Sequence, residues 1–194
     1  MLAQREPRRF NHREYLGLEE QADVRSEYYH GKIYSMTGSS VCHNQILRNL
    51  TGFMVNSLRG GPCQAFMTGL RLYIEEHDLF TYPDLFVVCG DLQMYGSRTD
   101  TLTDATLVVE VLSPSTEVYD RGEKFLFYQS LPSVQEYVLI SQDSPTVEIR
   151  QKVREGEWHT KETVGLAQSL ELKSIDAHLD LSLIYEGVDL KSTS

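Results

Sequence analysis

The sequence predicts an α/β or α+β fold in which a single β-sheet is flanked by helices. Apolar residues recur near a 3.6-residue spacing across 43–58, a pattern typical of an amphipathic helix. Two nearly continuous apolar and β-branched runs, at 84–88 and 106–112, are typical of strands buried on both faces. A helical segment at 118–130 follows the second run and precedes further strands, so we expect it to cross over the sheet.

Caps and turns mark the elements before this region. Asn11 is a candidate N-cap for a short helix, and Ser39 or Ser40 can cap the longer helix. His30-Gly31 separates two apolar and aromatic segments, which predicts a hairpin turn. The N-terminal third therefore predicts helix, hairpin and helix in that order.

Strands dominate the chain after Gly60-Gly61-Pro62. LRLYI at 70–74 alternates between apolar and polar residues, as a half-buried strand does. VQEYVLI at 134–140 and TVEIRQKV at 146–153 predict two more strands with a turn between them. The leucines scattered through 166–185 carry only a weak signal.

Composition indicates a globular chain. The 194 residues are 41% hydrophobic and 24% charged, which argues against disorder, collagen and coiled coil. We expect a flexible basic arm at 1–10 and one domain at 11–188, large enough to fold without a disulfide or metal. No run approaches the roughly 20 apolar residues of a membrane helix. The N-terminus lacks a secretory pattern, so we expect a cytoplasmic protein.

The three cysteines, Cys42, Cys63 and Cys89, stand far apart in the sequence. No CxxC pair is present, so a structural zinc site is not expected. We expect each cysteine to be a small buried hydrophobic residue rather than a catalytic thiol.

The net charge of −10 is unevenly distributed along the chain. Residues 1–60 carry eight Lys/Arg and six Asp/Glu, whereas residues 61–194 carry 10 and 22. An acidic chain is a poor nonspecific coat for nucleic acid, because such binding depends on neutralising phosphates. It remains compatible with an enzyme whose acidic centre is filled by metal ions.

Two carboxylates stand where apolar residues are expected. Asp84 opens one buried strand and Glu110 lies inside the other, between Val109 and Val111. A buried carboxylate is costly unless it is paired or bound to metal. If the two strands are adjacent, both carboxylates reach one place, and oxygen ligands suit Mg²⁺ or Mn²⁺. Taken singly, Asp84 also suits a strand start and Glu110 an exposed edge strand.

Asp120, Lys124 and Tyr128 are spaced i, i+4 and i+8 in the segment that follows Glu110. On a helix they share one face, and a helix folded back on its strand brings Lys124 to the carboxylates. The alternative is a solvated helix face with an Asp120–Lys124 salt bridge, and Tyr128 in the core. SPST at 113–116 is a turn in which Ser113 or Ser115 can cap this helix.

Four segments together resemble a known family. PD at 83–84, VVEVLSPST at 108–116, D-x-x-x-K-x-x-x-Y at 120–128 and VQEYVLI at 134–140 resemble the Uma-type restriction endonuclease family of the PD-(D/E)XK nuclease superfamily. YYHGKIYSMTGSSVCHNQI also resembles that family's hairpin and histidine helix. The resemblance implies a restriction-endonuclease-like core with a central mixed β-sheet flanked by helices. It also implies metal-dependent phosphodiester cleavage and a homodimer.

The resemblance assigns roles to particular residues. Asp84 and Glu110 match the metal-binding acids, and the Val111 carbonyl is a further candidate ligand for Mg²⁺ or Mn²⁺. The superfamily lysine position, two residues after the glutamate, holds Leu112. Lys124 on the following helix matches a lysine that has migrated there.

The remaining candidates support this centre. Asp120 and Tyr128 would hold the lysine and its helix in place. Glu27 matches an additional acidic residue on an N-terminal element, and His43 lies at a helix start where the family often has histidine. For Glu27 and His43, an ordinary structural role is equally open.

Three functions therefore remain in view. The first is a metal-dependent endonuclease that hydrolyses DNA. The second is a non-catalytic DNA-binding or protein-interaction module on a nuclease fold, favoured by the acidic second part of the chain and by Leu112. The third, a glycosidase-like carboxylate pair, leaves Lys124 without a role. Candidate DNA contacts are Arg5, Arg8, Arg9, Arg13, Arg48, Arg59 and Arg71.

Overall fold

The computed structural model describes residues 8–36, 38–67 and 69–190, and the elements below lie within them. The helices are α1 (His12–Glu19), α2 (Val41–Ser57), α3 (Glu117–Arg121), α4 (Glu123–Gln129) and α5 (Leu181–Ile184). The strands are β1 (Ser26–Tyr29), β2 (Lys32–Ser35), β3 (Cys63–Met67), β4 (Arg71–Ile74), β5 (Leu79–Thr81), β6 (Leu85–Cys89), β7 (Thr101–Leu102), β8 (Leu107–Leu112), β9 (Glu136–Ser141), β10 (Thr146–Arg154), β11 (Glu157–Val164), β12 (Ser169–Leu172) and β13 (Ala177–Asp180).

A six-stranded mixed sheet forms the centre of the molecule, in the order β11-β10-β9-β8-β6-β3. Strands β8 and β9 run parallel, whereas β6 pairs antiparallel with both β8 and β3. A five-stranded sheet has the order β2-β1-β5-β4-β7, and β12 and β13 form a separate hairpin. The predicted α+β class with a mixed sheet and flanking helices is confirmed. The prediction of a single sheet is wrong, because the hairpin of β1 and β2 pairs with β5 and so joins a second sheet.

The central sheet is covered on both faces. Because alternate residues of a strand point to opposite faces, β8 contributes to two cores. Leu107, Val109 and Val111 pack with α2, α5 and the β12–β13 hairpin. Val108 and Leu112 pack with α4 and the five-stranded sheet. Strands β6 and β8 are buried on both faces, as their apolar runs predicted.

The predicted local signals in the N-terminal third are confirmed. Asn11 caps α1 through a capping box with Glu14, and Ser40 caps α2 by accepting the His43 backbone N–H. His30 and Gly31 form the turn between β1 and β2, and both have positive φ. Such a turn matches the twist of a hairpin.

The helix predicted over 118–130 is in fact two helices, and that prediction is wrong in one detail. Gly122 lies between α3 and α4 with φ −105° and ψ −99°, outside the helical region. The cap expected from Ser113 or Ser115 is also absent, because Thr116 is the N-cap residue of α3 and makes no side-chain capping bond. The Ser113 hydroxyl instead bonds to the hydroxyls of Ser115 and Thr116.

Two cysteines are not the isolated hydrophobic residues that the sequence predicted. Cys63 and Cys89 are opposite each other in the β3–β6 ladder and form a disulfide. The antiparallel pairing of these strands joins residues 26 positions apart. Cys42 is half-buried with a free thiol.

The two chain ends differ in how much of them is described. Residues 1–7 of the expected arm lie outside the described residues. Of the rest, the Phe10 N–H donates to the Gly31 carbonyl and Arg9 donates to the His30 carbonyl, so this part contacts the hairpin turn.

The weakly patterned segment 166–185 forms β12, β13 and α5. None of the helices in the described ranges is long and apolar enough to span a membrane.

The turn at Gly31 generates a stability prediction. Gly31 has φ +83°, and an added Cβ would lie 3.1 Å from the Arg9 Cβ. We expect Gly31→Ala to lower the free energy of unfolding by about 1–2 kcal/mol, because L residues are strained in this region. Gly17 in α1 is the control, since an added Cβ there meets nothing within 4 Å. Gly17→Ala should raise stability by about 0.5–1 kcal/mol. Equal effects in urea unfolding would contradict the turn geometry.

Candidate active site

A cleft of about 420 Å³ opens at one edge of the central sheet. The carboxyl ends of the parallel strands β8 and β9 meet the start of β6 at this edge. Because Leu85 pairs with Val109, the register places Asp84 opposite Glu110. The first turn of α2 lines the cleft from one face of the sheet, and β1 and α4 line it from the other.

Asp84 is held through one of its two oxygens. Its Oδ2 accepts hydrogen bonds from His43 Nε2 at 3.0 Å and from the Val111 backbone N–H at 2.9 Å. Its Oδ1 has no hydrogen-bond partner among the described residues, and the side chain lines the cleft with 16% exposure. One oxygen is therefore available to a ligand.

Glu110 is also held through one of its two oxygens, by side chains on the opposite face of the central sheet. Its Oε1 accepts from Lys124 Nζ at 2.9 Å and from the Tyr128 hydroxyl at 2.9 Å. Its Oε2 has only a long contact with the Asp84 backbone N–H, at 3.4 Å. Each of the two carboxylates is thus anchored by one oxygen and presents the other.

Lys124 lies among three carboxylates. Besides Glu110, its Nζ is 3.5 Å from Asp120 Oδ1 and 3.8 Å from Glu27 Oε1. The predicted face of Asp120, Lys124 and Tyr128 therefore converges on Glu110, although Gly122 interrupts the helix. Burial opposes the charge of Lys124, but attraction by Glu110 and the other acids raises its pKa well above the usual value. An ammonium with this pKa donates hydrogen bonds and does not act as a base at neutral pH.

Burial dominates the acid–base behaviour of the carboxyl groups. It raises the pKa of Glu110 to about 8, although the attraction of Lys124 works in the opposite direction. Burial also raises the pKa of Asp120. When ionised, Glu27, Asp84, Glu110 and Asp120 face a single ammonium, so a cation entering the cleft is electrostatically favoured.

The structure also brings residues to the cleft that sequence reasoning missed. Gln142 follows β9, and its Oε1 accepts from the Ser40 hydroxyl at the start of α2. Tyr34, Tyr82 and Tyr119 line the walls. Gln142 could have been found if the parallel pairing of β8 and β9 had been known, because parallel strands end at the same edge.

One of the proposed DNA contacts is wrong. Arg71 is only 3% exposed, and its guanidinium bonds to Asp100 and Thr101, so it is not available to nucleic acid. Arg48, in the middle of α2, and Arg59, just beyond its C-terminal end, are exposed. Arg8 is exposed but paired with Glu14. Arg5 lies outside the described residues.

The available carboxylate oxygens suit a hard divalent cation such as Mg²⁺, which keeps water or phosphate among its ligands. Over the described ranges, no group of three or more His, Cys, Asp and Glu side chains is arranged to hold a metal ion. A closed protein cage is therefore not present in this part of the chain. Asp84 Oδ1 and Glu110 Oε2 are two available carboxylate oxygens, and Mg²⁺ characteristically uses one or two carboxylates together with water or phosphate.

Comparison with a solved structure identifies the class of fold. A crystal structure described as "a putative nuclease belonging to DUF820", from Anabaena variabilis ATCC 29413, matches with a TM-score of 0.73 at 20% identity. The match covers 89% of this chain and 96% of that one. At this identity the likeness shows a shared fold.

Comparison with sequence families identifies the family. The Uma2 family model, described as "Putative restriction endonuclease", matches residues 12–183, and the chain belongs to this family. The protein slr1290 of Synechocystis sp. (strain ATCC 27184 / PCC 6803 / Kazusa) is 38% identical over 175 residues, which is 90% of each chain. The protein sll1609 of the same organism is 34% identical over 158 residues, covering 81% of this chain and 89% of the relative. The resemblance predicted from the motifs is confirmed.

The raised pKa of Glu110 generates a prediction about pH. The folded protein retains this proton up to about pH 8, whereas the unfolded chain loses it near 4.5. The folded state therefore binds more protons between these values, so the free energy of unfolding falls as pH rises. Glu110→Gln removes this titrating group. We therefore expect the free energy of unfolding of the variant to fall less as pH rises, by on the order of a few kcal/mol. Urea unfolding in EDTA at pH 5.5, 7 and 8.5 measures this, and equal slopes would contradict the assignment.

Proposed function

We propose that this protein is a metal-dependent endonuclease that hydrolyses the phosphodiester bonds of DNA. One observation carries the proposal. Asp84 and Glu110 are each anchored through one oxygen and turn the other to the cleft, and the Lys124 ammonium lies 2.9 Å from Glu110. Membership of the Uma2 family supports the same conclusion. A homodimer, which the family resemblance implies, belongs to the proposal as well.

Asp84 and Glu110, with the Val111 carbonyl, would hold Mg²⁺ or Mn²⁺. Such an ion, when bound, polarises the phosphoryl group and makes water more acidic. His43 and the Val111 N–H hold Asp84 Oδ2, so the orientation of Oδ1 toward the cleft is set before the ion arrives. Tyr128 does the same for Glu110.

Lys124 supplies positive charge at the reacting phosphate. Its side chain is only 7% exposed, so the ammonium acts in an environment where charges are weakly screened. Its N–H groups can orient the attacking water or offset negative charge in the transition state. Asp120 and Glu27 restrict the position of Nζ from two further sides. Lys124 thus takes the part that Leu112 cannot perform.

Cleavage assays test the proposal directly. We expect the wild-type protein to cut DNA in Mg²⁺ or Mn²⁺ and not in EDTA, across a panel of plasmid, linear, branched and single-stranded substrates. Glu110→Ala and Lys124→Ala should each lower the rate by at least about 10²-fold, because each removes charge stabilisation at the phosphate. Lys161→Ala on exposed β11 is the control and should leave the rate unchanged. Wild-type rates in both site variants would show that the site is wrong.

If the protein is instead a non-catalytic DNA-binding module, the same panel of DNA substrates should give a different result. Folded wild-type protein would bind DNA but cut no substrate with any metal. The buried position of Lys124 beside Glu110 favours catalysis, because a binding surface gains little from an ammonium withdrawn from solvent.

His43 generates a further prediction about positioning. Gln can place an N–H donor near the position of His43 Nε2, whereas Leu cannot. We therefore expect His43→Leu to lower kcat by about 10–100-fold with little change in KM, since support of a metal ligand is worth this much. His43→Gln should recover most of the loss. Equal losses in both variants, with normal folding, would show that the hydrogen bond to Asp84 has no part in the reaction.

A further inference from the structure

The first turn of α2 has backbone N–H groups beside Asp84 that find no acceptor among the described residues. The His43 backbone N–H bonds to the Ser40 hydroxyl oxygen, and the Asn44 N–H bonds to the Ser40 carbonyl. The N–H groups of Val41 and Cys42 donate to no residue within the described ranges. Because α2 has 17 residues, its aligned peptide dipoles place partial positive charge at this end. Anions are stabilised at such a terminus.

Gln142 provides an independent sign that a ligand binds here. The side chain lies in the cleft wall, and the residue is only 8% exposed. The Ser40 hydroxyl accepts the His43 N–H and donates its proton to Gln142 Oε1. This leaves the Gln142 amide nitrogen beside the first turn of α2. Over the described part of the chain this nitrogen donates to no protein group, so a largely buried side chain keeps one unused donor at the cleft.

A shallow groove that includes exposed Val41 continues from this point along α2. Ser39 lines both the cleft and this groove, which it forms with Asn44, Gln45 and Arg48. Arg48 is exposed, and its guanidinium bonds to the Asn49 amide oxygen at 3.0 and 3.2 Å. It forms no salt bridge with the described acidic residues. Arg48 lies two turns, or about 10 Å, from the start of α2.

The opposite wall of the cleft offers fewer donors. The hydroxyls of Ser113, Ser115 and Thr116 bond to one another, and the next residue is Glu117. Four carboxyl groups beside the single Lys124 ammonium repel a phosphate at the centre. The α2 side is therefore the wall at which a phosphodiester chain meets positive charge and unused N–H groups.

We propose that the nucleic-acid backbone leaves the cleft across the first two turns of α2. One phosphate binds the N–H groups of Val41 and Cys42 together with the Gln142 amide, and a later phosphate of the same strand binds Arg48. This inference rests on the proposed function and deepens it, because it assigns the path of the substrate strand and a residue that contacts it.

Gln142→Glu tests the first phosphate site. The new carboxylate can still accept the Ser40 hydroxyl, but it places negative charge where the amide donor was. We expect Kd in EDTA, measured by fluorescence anisotropy with labelled DNA from the cleavage panel, to rise at least about tenfold, the worth of one charge-assisted hydrogen bond. KM in Mg²⁺ should rise similarly, with kcat within about threefold. Gln168→Glu is the control, since it makes the same charge change at an exposed site distant in the fold.

Gln142→Leu separates loss of the donor from added charge. It should also weaken binding, by a smaller factor than Gln142→Glu. Thermal unfolding of both variants shows whether α2 remains capped. If Leu alone destabilises the protein, the Glu variant still provides the test.

Arg48→Gln tests the second phosphate. Removing one phosphate contact should reduce the slope of log Kd against log salt by about 0.7–0.9. Arg59→Gln, beyond the other end of α2, should leave the slope unchanged.

The outcomes separate this inference from the proposed function. If the wild type cleaves DNA and both Gln142 variants retain wild-type Kd and KM, the path is overturned and the nuclease stands. If the wild type binds without cleaving and Gln142→Glu weakens binding, the path stands and the nuclease proposal fails. If the wild type neither binds nor cleaves DNA, both are overturned.

Discussion

The contact between Glu110 and Lys124 is the constraint on which the rest of the site depends. A carboxylate in the middle of a buried strand and a lysine on a buried helix face are each costly alone. The fold brings them to 2.9 Å, and the Tyr128 hydroxyl donates to the same oxygen. Helix α4 must therefore lie directly over the end of β8. Burial raises the pKa of Glu110, and the surrounding acids keep Lys124 charged although burial opposes its charge. The same contact directs the second Glu110 oxygen away from the helix.

The two carboxylates of the site are held by side chains that approach from opposite faces of the central sheet. Helix α4 reaches Glu110 from one face, and α2 reaches Asp84 from the other through His43. The two carboxylates meet because β6 and β8 are antiparallel neighbours in a register that places them opposite each other. An edge of the sheet is where such groups can meet and still face solvent. The cleft at this edge leaves the two largely buried carboxylates within reach of a ligand from solvent.

Much of the fold was predictable because its signals are local. The capping residue Asn11 and the His30-Gly31 turn act within a few positions, and the run that forms β8 is apolar on both faces. Asp84, Glu110 and Lys124 were predictable as a group because charged residues in apolar surroundings, in the order of a family motif, stand out. The break at Gly122 was missed because the apolar pattern continues on both sides of it. Arg71 was misjudged because nothing in its neighbourhood reveals Asp100, 29 positions away.

The sequence by itself determined the α+β class, the family and the grouping of Asp84 and Glu110 with Lys124, since these depend on residue type and on spacing along the chain. Only the tertiary structure decided which oxygen of each carboxylate faces the cleft, that Cys63 meets Cys89, and that Gln142 stands beside the first turn of α2. Each of these depends on strand pairing between distant segments. The free energy of that pairing is spread over the whole core, so no single stretch of sequence encodes it.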